Sequence, residues 1–181
     1  GDNKEEINST LQVEIDKLLK IIDKHVFSLS EEFPWEVINR LCSEAKVSIC
    51  TAESCTGGSI SRLITSVPGS SAYYKGSVIS YDNSIKVKEL GVPEQIIEKE
   101  GAVCKGVVEE MANGIRKKYN CDYSVSVSGV AGPTGGTKEK PVGTTWIAVS
   151  SERKTFSKKF IFGEHRGRNI ERASMSALKM L

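Results

Sequence analysis

Short apolar segments of strand-like pattern alternate with longer stretches of helical periodicity, and this alternation constrains the fold more than any other feature of the chain. Residues 46 to 51 (K-V-S-I-C-T), 76 to 81 (G-S-V-I-S-Y), 123 to 130 (Y-S-V-S-V-S-G-V), 144 to 150 and 155 to 162 read as strands. Between them, helices are expected from Pro34 to about Ala45, through Ile60, Leu63, Ile64 and Val67, from Asp82 or Asn83 to Leu90, onward to Lys99, and over 107 to 119. A last helix should run from about Arg168 to Leu181, with Ile170, Ala173, Ala177, Leu178 and Leu181 inward. Strands separated by helices imply a sheet covered on both faces. The final two strands have no helix between them and read as a hairpin. The expected fold is therefore a three-layer α/β/α domain with a mixed, mostly parallel sheet, spanning residues 34 to 181. Residues 1 to 33 read as an amphipathic lead-in helix and linker. Ile7, Leu11, Ile15, Leu18, Ile22 and Val26 form one stripe over 5 to 27, ready to dock on the domain or on a partner subunit.

A chain of 181 residues suffices for one sizeable core. Its apolar runs fall far short of the roughly 18 residues of a membrane span, and no apolar signal core follows the start. Position 1 is Gly, so the chain reads either as part of a longer protein or as a stand-alone form. A net charge of +2 with scattered basic residues argues against nucleic acid as the main ligand. Five cysteines, with no C-x-x-C, make a disulfide framework or a structural zinc site poor expectations and point to a reducing cytoplasm.

Several chemistries lack their signatures. G-x-x-x-x-G-K-[ST], G-x-G-x-x-G and H-E-x-x-H do not occur. Only His25 and His165 could serve a Ser-His-Asp triad, and a surface or capping role suits each better. What remains is Ala52-Glu53-Ser54-Cys55-Thr56-Gly57-Gly58, at the junction of a strand and a helix. Free N–H groups of a first helical turn could receive an oxyanion there, with Ser54 as nucleophile, and glycines let a substrate approach the backbone. The plainer alternative is that Ser54 only caps the helix. A serine needs a base, and a desolvated lysine can be one. Lys86 follows Tyr81 by five residues across a strand-to-helix turn, so the two could converge on one cleft, with the Tyr81 hydroxyl relaying a proton or orienting the amine. The competing reading is a solvent-facing helix lysine. Ser128 to Thr137 (S-G-V-A-G-P-T-G-G-T) leaves a strand as a Gly-rich loop suited to cradling an anion. Arginines at 166 and 168 suit phosphate, or are exposed residues of a helix start.

These segments together resemble one family. A-E-S-C-T-G-G at 52–58, P-G-S-S-A at 68–72, Y-x-N-x-x-K at 81–86, L-G-V at 90–92, G-A-V at 101–103, S-G-V-A-G-P-T-G-G-T at 128–137 and K-P-V-G-T at 140–144 are similar to motifs of the CinA C-terminal domain, or nicotinamide-nucleotide amidase (PncC), family. The resemblance runs from about residue 35 to the end. It implies metal-free and cofactor-free hydrolysis of nicotinamide mononucleotide to nicotinic acid mononucleotide and ammonia, often by a homodimer. It puts Ser54, Tyr81 and Lys86 in catalytic positions. It borders the substrate with Cys55, Thr56, Gly57, Gly58, Asn83, Ser128, Gly129, Gly132, Gly135, Gly136 and Thr137. The family's G-D-R appears as Gly163-Glu164-His165-Arg166, which leaves Arg166 and Arg168 as competing counterparts. Residues 5 to 32 resemble the linker of two-domain CinA proteins, whose N-terminal domain would be a further partner. Two rivals stand beside this reading: a non-catalytic nucleotide-binding or assembly module, and an enzyme with Cys55 as nucleophile.

Overall fold

The computed structural model describes residues 3–22 and 26–181, which divide into two compact units, 1–33 and 34–181. In the first, α1 (Lys4–Ile22) carries the expected stripe, with Ile7, Leu11 and Leu18 about half exposed. Residues 23 to 25, including His25, fall within the helix expected over 5 to 27 and lie outside the described residues. No helix among the described residues is long and apolar enough to cross a membrane.

The second unit is a five-stranded sheet between helical layers. Its elements in chain order are α2 (Pro34–Ala45), β1 (Ile49–Glu53), α3 (Ser59–Thr65), β2 (Tyr74–Ile79), α4 (Asn83–Leu90), α5 (Glu94–Glu100), α6 (Lys105–Tyr119), β3 (Tyr123–Gly129), β4 (Thr144–Ser151), β5 (Thr155–Ile161) and α7 (Arg166–Met180). The strand order is β2-β1-β3-β4-β5. β1 pairs in parallel with β2 and β3, while β4 is antiparallel to β3 and β5. The sheet is thus mixed, and four of its five strands run the same way. The β4–β5 connection is the expected hairpin.

Period-two alternation sorts the strand side chains between two cores. Ile49, Val125, Val127, Ile147 and Val149 face α2, α3 and α7, packing with Ile38, Ile60, Ile64, Ala173, Ala177 and Leu178. Cys50 and Ala52 face α6, beside Val107, Met111 and Ile115. On that same face β3 presents serines. Ser124 Oγ donates to Ala112 O at 2.7 Å and Ser126 Oγ to Val108 O at 2.5 Å. Small hydroxyl side chains let α6 lie close to the sheet and leave no buried hydroxyl unpaired at these positions.

Two strand starts differ from expectation for local reasons. Lys46 takes φ 53, and Val47 N–H donates back to Cys42 O at 3.1 Å, so α2 closes in a left-handed turn without glycine and β1 begins only at Ile49. Gly76 does not open β2 but sits inside it at φ 131, where the β1–β2 register shifts.

Gly114 sits mid-helix in α6, where glycine costs about 1 kcal/mol relative to alanine. A Cβ there would collide with the Leu90 carbonyl at the end of α4. Gly114→Ala is therefore expected to destabilise the protein by roughly 1–3 kcal/mol despite its better helix propensity, read as a lower urea midpoint with unchanged slope.

Candidate active site at the carboxyl ends of the strands

β1 is an interior strand, paired with β2 on one side and β3 on the other. Its own connection runs through α3 on one face, while α6, which leads into β3, covers the other. Such a switch point between adjacent strands is where open α/β sheets form ligand crevices. Ser54 stands there. Its N–H donates to Val127 O at 3.0 Å, and Ser80 N–H donates to Glu53 O at 2.8 Å, so the main chain is paired to β3 and to β2 up to the last residue before the turn. The Ser54 side chain is 8% exposed, and its hydroxyl makes no hydrogen bond among the described residues.

A tight turn follows instead of an immediate helix. Gly57 N–H donates to Ser54 O and Ser59 N–H to Thr56 O, both at 3.0 Å, with Gly57 at φ 58 and Gly58 at φ 97. The α3 N-terminus itself is occupied. The buried Glu53 carboxylate accepts from Gly58 N–H (3.0 Å) and Ile60 N–H (3.1 Å) through Oε2, and from Ser61 N–H (2.9 Å) and Ser61 Oγ (2.6 Å) through Oε1. The expectation that the first helical turn offers free donors to a substrate is therefore corrected. Of the N–H groups from Cys55 to Gly58, those of Gly57 and Gly58 have protein acceptors, and those of Cys55 and Thr56 donate to no other residue among the described residues. Ser54 does not cap α3; Glu53 takes that role.

Lys86 is the opposite of a surface lysine, at 1% exposure on the first turns of α4. Its Nζ donates to Ser80 O at 2.7 Å and to Tyr81 O at 3.3 Å. No carboxylate comes within 4.0 Å of it among the described residues. Burial holds its pKa below the ordinary lysine value, against smaller opposing effects of Asp82 and the Cys55 thiol. Asp82 caps α4 through Ser84 N–H at 2.8 Å, and hydrogen bonds from Ser84 lower its own pKa.

Tyr81 is placed differently from expectation. β2 ends at Ile79, so the Ser80 and Tyr81 carbonyls turn toward Lys86 while the Tyr81 ring, 60% exposed, points outward. Its hydroxyl accepts from Arg166 Nη2 at 3.0 Å, and Lys86 contacts only the Tyr81 main chain. Arg166 Nη1 donates to Gly132 O at 2.9 Å. One guanidinium thus spans from the end of β2 to the Gly-rich loop after β3. Arg168 reaches neither; its N–H donates to His165 Nδ1 at 3.3 Å, which makes His165 the N-cap of α7. Of the two arginines, Arg166 is the one whose side chain joins the end of β2 to the Gly-rich loop.

The Gly-rich loop divides into a near and a far part. Gly129 lies so close to the nucleophile turn that a Cβ on it would stand 3.1 Å from Cys55 Sγ. Gly132 is buried at φ 89 before a cis Pro133. Ser128 Oγ is spent on Ala102 O at 2.8 Å. Gly135, Gly136 and Thr137 are exposed, and Thr137 closes a turn with Lys140 through both its N–H and its Oγ1. The Lys140 amine ties that turn to the Glu100 carbonyl. Asn83 is exposed and lines a separate cleft with Val87, Glu94 and Ile97, between α4 and α5. A groove of about 690 Å³ between α3 and α7, floored by Leu63, Phe162 and Met175, contains neither Ser54 nor Lys86.

Two residues of this arrangement carried no assigned role in the sequence reading: Glu53, visible only as a charged residue inside an otherwise uncharged motif, and Ser61, its partner on α3. The site as a whole is a hydroxyl on a rigid strand-to-helix turn, a buried amine on the neighbouring strand's exit and a guanidinium across the mouth, in a three-layer α/β/α domain. Comparisons with known proteins agree. The CinA C-terminal domain model matches residues 32–181, and the chain belongs to that family. It is 41% identical over 181 residues to a CinA-like protein of Cytophaga hutchinsonii, covering 100% of this chain and 43% of the relative. A CinA-like protein of Dictyoglomus thermophilum is 42% identical over 149 residues, 82% of this chain and 36% of its own length. The chain therefore spans less than half the length of these relatives. Among solved structures, the competence/damage inducible protein CihA from Agrobacterium tumefaciens superposes with a TM-score of 0.78 at 31% identity, covering 85% of this chain and 96% of that one. A CinA superfamily protein from Escherichia coli superposes with a TM-score of 0.80 at 25% identity, covering 87% and 96%.

Cys55 is 7% exposed, and burial pushes its thiol up to about 12, with Glu53 adding to the rise and Lys86 and Arg166 opposing it. A thiol held protonated and covered is a poor nucleophile. Iodoacetamide at pH 8 should leave Cys55 unmodified in the native protein and label it only after unfolding, as peptide mass mapping would show.

Proposed function

We propose that this chain is an amidohydrolase that deamidates nicotinamide mononucleotide to nicotinic acid mononucleotide and ammonia. The observation that carries the proposal is Lys86: a buried amine with no carboxylate within 4.0 Å among the described residues, donating to the Ser80 carbonyl just beyond the end of β2, the strand paired with β1. Burial favours its neutral form, and a neutral amine can take a proton. Family membership supports the same reading, as does the serine–lysine pairing in the A-E-S-C-T-G-G and Y-x-N-x-x-K motifs.

In the proposed reaction Lys86 Nζ removes the Ser54 hydroxyl proton as Oγ attacks the carboxamide carbon. The Cys55 and Thr56 N–H groups, the two left uncommitted in the turn, receive the developing oxyanion. The C–N bond breaks as Lys86 returns the proton to leaving ammonia. Water, deprotonated by the same amine, then attacks the acyl-serine and frees the acid. Arg166 is assigned to the substrate phosphate. Its guanidinium joins the end of β2 to the Gly-rich loop, and its hydrogen-bond partners among the described residues are neutral, the Tyr81 hydroxyl and the Gly132 carbonyl. As the acyl–Oγ bond breaks, the Lys86 ammonium returns its proton to Ser54 Oγ, which restores the starting state. In this scheme Tyr81 aims Arg166 through its hydroxyl.

Ammonia release from a panel of pyridine nucleotides and free nicotinamide tests the proposal. Turnover of the mononucleotide is the expected result, and a chain that binds it without releasing ammonia is a binding module instead. Ser54→Ala and Lys86→Ala should each lower kcat by at least about a thousandfold with native circular dichroism. Near-normal turnover in either variant would discard the mechanism.

The pH dependence follows from the direction of the Lys86 shift. The active form is the neutral amine, so kcat/KM should rise as pH rises through the Lys86 pKa. Because that pKa is lowered by burial, the limb should lie below the range of an ordinary lysine. A profile that is flat, or that falls with pH over this range, would exclude Lys86 as the base.

A further inference from the structure

We infer that Glu53 is a further positioning residue of this site: it sets the orientation of the Ser54 turn, and by occupying the α3 donors it leaves only Cys55 and Thr56 N–H to receive an anion. The first half stands on geometry alone, and the second rests on the amidohydrolase reading.

Glu53 is the last residue of β1, fully buried, and its side chain faces the α3 side of the sheet. Its main chain is held by the sheet, with Ser80 N–H on Glu53 O. Its side chain is held by the helix, through the four donors of Gly58, Ile60 and Ser61. The residues between these two anchors, 54 to 58, are the nucleophile turn. They form a short bridge whose two ends are fixed by one residue, the start through the Glu53 main chain and the far end through its carboxylate. The network continues outward. Ser61 Oγ lies 2.9 Å from Tyr74 Oη, and Thr51 Oγ1 lies 2.7 Å from Tyr74 Oη and 3.2 Å from Ser61 Oγ. Thr51 and Tyr74 belong to β1 and β2, so the α3 end of the clamp is itself fastened to the sheet.

The same bonds have a chemical consequence. A helix N-terminus is a ready anion site when its N–H groups are free. Here the carboxylate already fills it, so an incoming anion meets no vacant donors on α3. Glu53 carries its negative charge on the α3 side, while Lys86 and Arg166 approach the turn from the β2 and loop sides. The Glu53 carboxylate therefore does not compensate Arg166, whose charge remains directed toward a substrate.

The test uses the full chain and Glu53→Gln, which keeps the shape but can accept at only one terminal atom, so its NH₂ group faces donors. Two quantities are measured: ammonia release from nicotinamide mononucleotide, and labelling of Ser54 by a sulfonyl fluoride, located by peptide mass spectrometry. Displacement of the turn should lower kcat by about 100-fold, leave KM within about threefold, and slow Ser54 labelling by a similar factor while circular dichroism stays native. A merely structural role would lower the melting temperature but leave kcat and labelling per folded molecule unchanged, and that result overturns the inference. If Glu53→Gln does not fold, Ser61→Ala decides, since it removes one of the four donors. Labelling slowed roughly three- to tenfold supports the inference, and wild-type labelling overturns it. If the unmodified chain is labelled but releases no ammonia, the amidohydrolase reading fails, and the labelling rates alone judge Glu53. Absence of Ser54 labelling in the unmodified chain overturns both.

Discussion

β1 is hydrogen-bonded on both sides to its last residue, and everything at the site is measured from that rigid end. Ser54 N–H is on Val127 O and Glu53 O receives Ser80 N–H, so the main chain at the serine cannot shift without breaking sheet pairing on one flank or the other. Surface loops are mobile because their polar groups can trade partners with water. This turn cannot do so, since it leaves a fully buried strand and re-enters a helix capped by the strand's own Glu53. The same pairing fixes the Ser54 main chain to β3 and the Ser80 main chain, whose carbonyl receives Lys86, to β1. It also explains why the glycines of the turn are needed: Gly57 and Gly58 take positive φ, the only inexpensive way to reverse the chain in so few residues.

Lys86 shows how burial can decide a chemical role. An unpaired ammonium taken from water costs several kcal/mol even after relaxation, about the size of a domain's whole stability margin. Two carbonyl acceptors recover part of that cost, and more of it for the cation than for the neutral amine, but they do not set a full opposite charge against the ammonium as a carboxylate would. A carboxylate in their place would have held the proton. The same side chain on the opposite face of α4 would be one more solvated lysine, like Lys88, which is exposed.

The fold was legible in the sequence because period-two and period-3.6 patterns survive wherever one face of an element is buried, and here almost every element has such a face. Legibility failed at element ends. Lys46 ends a helix in a left-handed turn that sequence reading reserves for glycine or asparagine, and Gly76 bends a strand that it seemed to begin. At the site, Ser54, Lys86 and Arg166 were visible as residue types near the right breaks in pattern, but their partners were not. That Tyr81 would hold Arg166 and not Lys86 depends on β2 ending two residues before it, and no local pattern carries that information. Asn83 and the 135–137 segment share motifs with the site residues yet are exposed, because membership of a motif says nothing about which side of a turn a side chain takes.

The balance of charge follows from the same geometry. Three ionisable side chains converge on five residues of backbone: Glu53 from below, Lys86 from β2's exit, Arg166 from α7. Glu53 alone is fully enclosed by donors, and those donors are main-chain and hydroxyl groups, not the two cations. Had Glu53 paired with Lys86, the amine would have kept its proton and the helix end would have stood open to anions. With the carboxylate turned to α3, the amine is free to lose its proton. The guanidinium is left with only a phenol and a carbonyl. A ligand carrying negative charge is the species that would gain most from Arg166, because a charge-assisted bond is roughly twice as strong as the neutral ones it would replace.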